Sequence, residues 1–164
     1  ERGLQFVTNG STQRGKGNIL AYREALARRG AAAQPKAEFK GGAAVGITRQ
    51  IVVADTDDAA RRIAEPAWNH YHANLTYLWR LSTGDELVLR QAVPTAATFA
   101  DSERDGTVVF GSPATVREKL LAQASELGIN YLLTYMMFGT MPLTDALRSL
   151  ALFESEVMPA LGSI

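Results

Sequence analysis

Residues 108–139 read VVFGSPATVREKLLAQASELGINYLLTYMMFG, and this stretch decides the fold class. Ser112 suits an N-cap, where its hydroxyl can accept an orphan backbone N–H. Pro113 suits the first helical position, where its missing N–H costs nothing. Val116, Leu120, Ala124 and Leu127 recur at steps of three and four, so one helix face is apolar. Gly128 follows the last periodic residue, where a left-handed residue closes a helix. Tyr131 to Phe138 is then a nearly unbroken apolar run. A strand wetted on one face would alternate, so this run predicts a strand buried on both faces. A capped helix joined by a short turn to such a strand is the αβ half of a parallel α/β unit.

The same unit can be traced outward. Leu4 to Val7 reads as a short strand, followed by the polar turn Thr8-Asn9-Gly10-Ser11-Thr12 with several cap candidates. A helix carrying Ile19, Leu20, Tyr22, Arg23 and Leu26 ends near Gly30; Gly15 and Gly17 weaken its early part. Ala31 to Gly42 reads as a loop. Val45 to Val53 (VGITRQIVV) is the second strong strand, with Arg49 on the same face as Val45, Ile47, Ile51 and Val53. Asp55 to Asp58 open a long helix, with acids placed at the positive end of its dipole. Ile63, Ala67, His70, Tyr71, Asn74 and Leu78 form its expected inner stripe, and Pro66 is expected to kink or split it.

Residues 81–106 are the least regular part, with a possible short helix from Asp85 to Gln91, and read as an insertion or lid-like segment. After the quoted stretch, a final helix presents Leu147, Leu150, Ala151, Val157, Met158 and Leu161 as its apolar side. The order β-α-β-α-(insertion)-α-β-α predicts a single α/β domain over 1–164 with about three parallel strands and right-handed crossovers.

Composition bounds the function. The 164 residues match one domain in size, and 46% hydrophobic content is ample for a core. Seventeen basic and 17 acidic residues are interspersed and cancel, which argues against a nucleic-acid surface or a polybasic membrane patch. There is no cysteine, so no disulfide framework and no thiolate metal site. No apolar run approaches the roughly 18 residues of a membrane helix. With no signal peptide visible, a cytoplasmic location is expected. Glu1-Arg2-Gly3 reads as the end of a preceding helix and its cap, so the chain is expected to open in mid-fold.

Four ordered segments now carry a family resemblance: Gly3 to Thr8; Val45 to Arg61; GSPATVREKL from Gly111 to Leu120; and LRSLALFESEVMPAL from Leu147 to Leu161. Together they resemble the bacterial luciferase-like, flavin-dependent monooxygenases. The resemblance implies a TIM-type (β/α)8 barrel that binds reduced FMN, activates oxygen and transfers one oxygen atom to a small organic substrate. It implies a reductase as the source of reduced flavin. It also implies that the chain is the C-terminal half, a partial barrel, since a whole barrel needs about 250 residues. A deazaflavin-dependent oxidoreductase on the same fold is the enzyme alternative. An inactive structural fragment that self-associates is the non-enzyme one. Outer strands with unpaired edges predict a homo-oligomer or a partner chain in either case.

Barrel chemistry lies at the C-terminal ends of strands. That selects Thr8 and Asn9 as hydrogen-bonding candidates for a flavin or substrate, against plain turn chemistry. Tyr135, with Met136, Met137 and Phe138, is a candidate apolar wall for the flavin ring, against core packing. Arg49 must find a partner on its apolar face: a flavin phosphate, a substrate anion or, the preferred structural reading, an internal carboxylate. Gly111-Ser112-Pro113 is a weak phosphate site, with capping preferred. His70 and His72 point about 200° apart on a helix and cannot share a metal; His70 is expected to be packed and His72 exposed. No catalytic triad or zinc spacing is present, as suits a protein that mainly positions a cofactor.

Overall fold

The computed structural model describes residues 5–30, 42–83 and 96–162. The possible helix at Asp85–Gln91 and most of the loop after Gly30 lie outside them. The elements are β1 (Phe6–Thr8), α1 (Thr12–Arg29), β2 (Val45–Val53), α2 (Asp57–Thr83), α3 (Phe99–Arg104), β3 (Val108–Gly111), α4 (Pro113–Leu127), β4 (Tyr131–Tyr135), α5 (Leu143–Leu152), a π turn (Phe153–Val157) and α6 (Met158–Leu161).

All four described strands are parallel and share β2 as their centre. β1 pairs with the first residues of β2 (Phe6 with Val45) and β3 with the last (Val53 with Gly111). Gly46 to Gln50 pair with Tyr131 to Tyr135 of β4. Gly46 pairs with Val7 of β1 and Tyr131 of β4, and Gln50 with Val108 of β3 and Tyr135 of β4. β1 and β3 therefore lie along one edge of β2 and β4 along the other. The expected count of about three strands omitted VVFG at 108–111, a short strand that extends the sheet at its far end.

β2 is long and buried because both its faces are covered. Its odd side packs Ile47 against Ile19 and Leu127, and Ile51 and Val53 against Val116, Leu120 and Phe153. Gly15 makes this possible in α1: a Cβ there would sit 2.5 Å from Ile47 Cδ1. On the even side Val52 packs with Trp68, Phe99 and Phe110 under α2.

The reading of α4 holds in detail. Ser112 caps it by accepting from the Thr115 N–H, Pro113 opens it, and Gly128 closes it at φ 61°. Val116, Leu120, Ala124 and Leu127 are its buried residues.

Four expectations are corrected. The strand after α4 ends at Tyr135, and its side chains are half-buried or exposed rather than buried on both faces. Among the described residues β2 is its only strand neighbour, so its outer edge has no strand pairing there. Pro66 does not split α2, which is one helix from Asp57 to Thr83 with the proline exposed. Of the helix's expected inner stripe, Ala67 is buried and Ile63 and Tyr71 pack against the same core, but His70, Asn74 and Leu78 are exposed, and Ala60, Ala64 and Trp68 complete the buried face. Small residues win that face because they let the helix lie close to the sheet. In the final helix Leu147, Leu150 and Met158 are exposed, and Ala146, Ser149, Phe153 and Val157 are buried. The π turn advances the helix by an extra residue, so one 3.6-residue stripe cannot run its whole length. Ser149 is turned inward, where its hydroxyl accepts the Val53 N–H at 2.8 Å.

Candidate functional site

Strand alternation sends Thr48 and Gln50 to the side of β2 opposite Ile47, Arg49 and Ile51. There they meet a cavity of about 280 Å³. The residues following β1 (Asn9, Gly10) and the last residue of β4 (Tyr135) form its rim. α2 supplies a wall of Trp68, Tyr71, His72 and Leu75. Register explains part of the arrangement, because Gln50 and Tyr135 are direct partners in the β2–β4 ladder.

The wall is built from aromatic contacts. Trp68 and His72, one turn apart on α2, stack with centroids 4.6 Å apart and planes 12° from parallel. Tyr71 sets its ring edge-on to Phe138 at 6.3 Å. Burial, and then the neighbouring Tyr135, push the Tyr71 phenol above its ordinary pKa. It therefore keeps its proton at neutral pH and stays a donor. No acidic, lysine or arginine side chain is among the lining residues described. The cavity suits an uncharged, flat guest.

One polar atom beside the cavity lacks a partner. Gln50 is only 9% exposed, and its Nε2 is buried without a hydrogen bond. A buried donor left unpaired costs about 1–3 kcal/mol.

The candidates from the sequence divide. Asn9 and Tyr135 line the cavity. Thr8 is turned to α1, where its hydroxyl accepts from Asn18 Nδ2 at 2.8 Å. Arg49 is fully buried on the other side of β2. Its Nε donates to Gln123 Oε1 at 2.7 Å, one terminal nitrogen to the carbonyls of Gly10 (3.0 Å) and Thr48 (2.9 Å), and the other to Thr12 Oγ1 at 3.2 Å. The expected carboxylate is replaced by neutral acceptors. Desolvation lowers its pKa to about 10, so the group is still charged at neutral pH. It fastens the turn after β1 and helix α4 to β2.

The other candidates resolve as structure. Of the residues after Tyr135, Phe138 joins the core, Met136 packs against the opposite cluster and Met137 is exposed, so they form no wall together. The Ser112 N–H is taken by Asp57 Oδ1 at 2.6 Å, which leaves capping as the role of that turn. The histidines are the reverse of expectation: His70 is exposed and His72 is the packed one. Among the described residues no cluster of three potential metal ligands occurs, and no helix is long and apolar enough to cross a membrane.

Gln50, Thr48, Trp68 and Tyr71 were missed from the sequence. The signal was present in β2, where two polar residues, Thr48 and Gln50, share the even face.

The model of the luciferase-like monooxygenase family matches residues 1–131. The chain belongs to the luciferase-like monooxygenase family. The match stops short of the C-terminal segment Leu147–Leu161, which the sequence reading had included. The uncharacterized protein y4wF of Sinorhizobium fredii is 32% identical over 122 residues, which cover 72% of this chain and 33% of that protein. Three solved structures share the fold. The monooxygenase RslO1 of Streptomyces bottropensis superposes with a TM-score of 0.67 at 17% identity, over 96% of this chain and 42% of its own. The oxygenating constituent of 3,6-diketocamphane monooxygenase from Pseudomonas putida, a type II Baeyer–Villiger enzyme in complex with FMN, gives 0.64 at 23%, over 94% and 42%. Apo-MsnO8 gives 0.60 at 22%, over 97% and 45%. The luciferase-like chain thus spans a third of its curated relative and less than half of each of these structures.

Proposed function

We propose that this chain is the C-terminal part of a flavin-dependent monooxygenase, a partial TIM-type barrel acting on a small organic substrate. The observation that carries the reading is the uncharged cavity of Trp68, Tyr71, His72 and Tyr135 around Gln50, at the C-terminal ends of β1 and β4. Its volume is close to the lower end, roughly 300 Å³, of ordinary ligand sites. It suits a ring system better than a whole nucleotide.

The residues present fit an isoalloxazine ring. Trp68 and Tyr71 offer faces and edges for it, and the unpaired Gln50 amide offers a donor to a ring carbonyl. Asn9 at the rim adds a second polar contact. Reduced FMN would supply the electrons for oxygen activation when bound. The chain's own part is to orient the ring, hold the Tyr71 proton in place and keep water away by its apolar walls. Arg49 holds the turn that carries Asn9 and Gly10 rather than meeting the ligand. A deazaflavin in place of FMN is one outcome of the test.

Homo-oligomerisation belongs to the same proposal. Among the described residues the outer edge of β4 has no strand partner, and Leu147, Leu150 and Met158 are exposed on the last helices.

Titration of the protein into FMN and into a deazaflavin, followed by flavin fluorescence, tests cofactor binding. Oxygen uptake with chemically reduced FMN tests the reaction. Saturable quenching by FMN with substrate-dependent oxygen uptake is expected. Absence of quenching at high micromolar protein would overturn the reading.

A further inference from the structure

We infer that Gln50 is the residue that selects the cavity's ligand, by donating its side-chain N–H to a carbonyl oxygen on a flat, uncharged ring. The inference rests on the cavity assignment made above and names the chemistry it recognises.

Gln50 lies in the middle of β2, held by its backbone N–H to the Thr107 carbonyl at 3.1 Å. Its neighbours Ile51 and Val52 are fully buried, so its main chain cannot move away. Only the amide has freedom, and its terminal torsion is broad, so the N–H₂ can turn toward a guest. Among the described residues Nε2 is the one buried side-chain nitrogen or oxygen without a partner. Such an atom is tolerated where a ligand completes its bonding.

The surroundings restrict the guest. The stacked pair Trp68 and His72 and the ring of Tyr71 favour a flat body. With no acidic, lysine or arginine side chain in the lining described, a charged guest would be desolvated without compensation. The remaining requirement is an acceptor, and a carbonyl oxygen is the acceptor that an amide N–H₂ meets without a change of charge. A site built to donate to an oxygen discriminates strongly against the analogue that lacks it, because the donor is then left unpaired. Two sources offer this chemistry: the carbonyl edge of the flavin ring, or a ketone substrate.

Calorimetric titration of the 164-residue chain separates them. Riboflavin represents the flavin edge without phosphate. 1-Indanone represents a ring ketone, with indane as its carbonyl-free match. Gln50→Met removes the donor at nearly the same length, and Gln50→Leu is a second, shorter variant. The expected result is that at least one carbonyl probe binds wild type, that both variants weaken it about tenfold, and that indane is unaffected. The ligand-free variants should melt at or above the wild-type temperature, because an unpaired donor has been removed. Loss for riboflavin assigns the flavin edge, and loss for 1-indanone assigns the substrate. Binding of 1-indanone but not riboflavin would sink the flavin reading and leave this inference standing. Riboflavin binding with neither probe affected by the variants would do the opposite. Failure of both probes to bind wild type, or a clear fall in melting temperature in both variants, would overturn the inference.

Discussion

Asp57 Oδ1 accepts the backbone N–H of Ser112 at 2.6 Å, and its Oδ2 accepts the Thr115 hydroxyl at 3.1 Å. The first residue of α2 thereby sits on the first turn of α4. The N–H of Ser112, the hydroxyl of Thr115 and smaller contributions that include Lys119 hold its carboxyl below the usual carboxylate range. A depressed folded-state pKa means that the unfolded chain binds the proton more readily. The stabilisation is therefore complete above the unfolded value, about pH 3.9, and is lost as pH falls through the lower folded value. Asp57→Asn should cost about 1 kcal/mol at pH 7, a figure already reduced for solvent screening at this exposed site. Urea unfolding at pH 7 and pH 2.5 checks this: the difference between wild type and variant should shrink at the lower pH.

The fully buried Arg49 and the half-buried Gln123 form a pair in which only one member is charged, with Nε to Oε1 at 2.7 Å. Gln123→Leu leaves the guanidinium Nε without this acceptor and should cost about 2 kcal/mol. Arg49→Met removes the charge together with its need for partners. The double variant should be clearly more stable than the sum of the two singles, since the groups act on each other. Chemical denaturation of the four proteins measures this coupling; strict additivity would refute it.

Glycines at two positions should respond in opposite directions. Gly139 sits at φ +58°, and a Cβ there would collide with the Ala67 carbonyl of α2. Gly139→Ala combines a left-handed backbone with a clash against main chain and should cost about 3 kcal/mol or more. Gly17 lies inside α1 with open space around it. Gly17→Ala should stabilise by about 0.5–1 kcal/mol, mainly through helix propensity and a less disordered unfolded state. Thermal melts of both variants decide the pair.

The exposed Leu147 and Leu150 on α5 predict self-association. Sedimentation velocity over a hundredfold concentration range should show growth of a dimer or larger species. Leu147→Lys with Leu150→Lys should shift it toward monomer, with little change in melting temperature because both side chains are already exposed. A monomer throughout for the wild-type chain would refute the proposal.

Local chemistry alone determined much of this protein. The cap at Ser112, the opening Pro113, the stop at Gly128 and the four buried residues between them are decided within one helix, so residues 112–128 were legible as they stand. β2 was legible too, because nine residues with so many β-branched and aliphatic side chains have few other uses. The rim residues Asn9 and Tyr135 followed from knowing where parallel strands end.

Only the tertiary structure decided which faces meet. α2 has one broad apolar side, and the sheet took it centred on Ala60, Ala64, Ala67 and Trp68 with Ile63 and Tyr71 at its margin, since small side chains permit close approach. That choice placed His72 inside and His70 outside. Arg49 and Gln50 are adjacent in sequence, yet strand alternation sends one to a set of neutral acceptors and the other to an open cavity. Their surroundings come from Gly10, Thr12, Gln123, Trp68 and Tyr135, residues far apart in the chain that only the packed sheet and helices bring to the same strand.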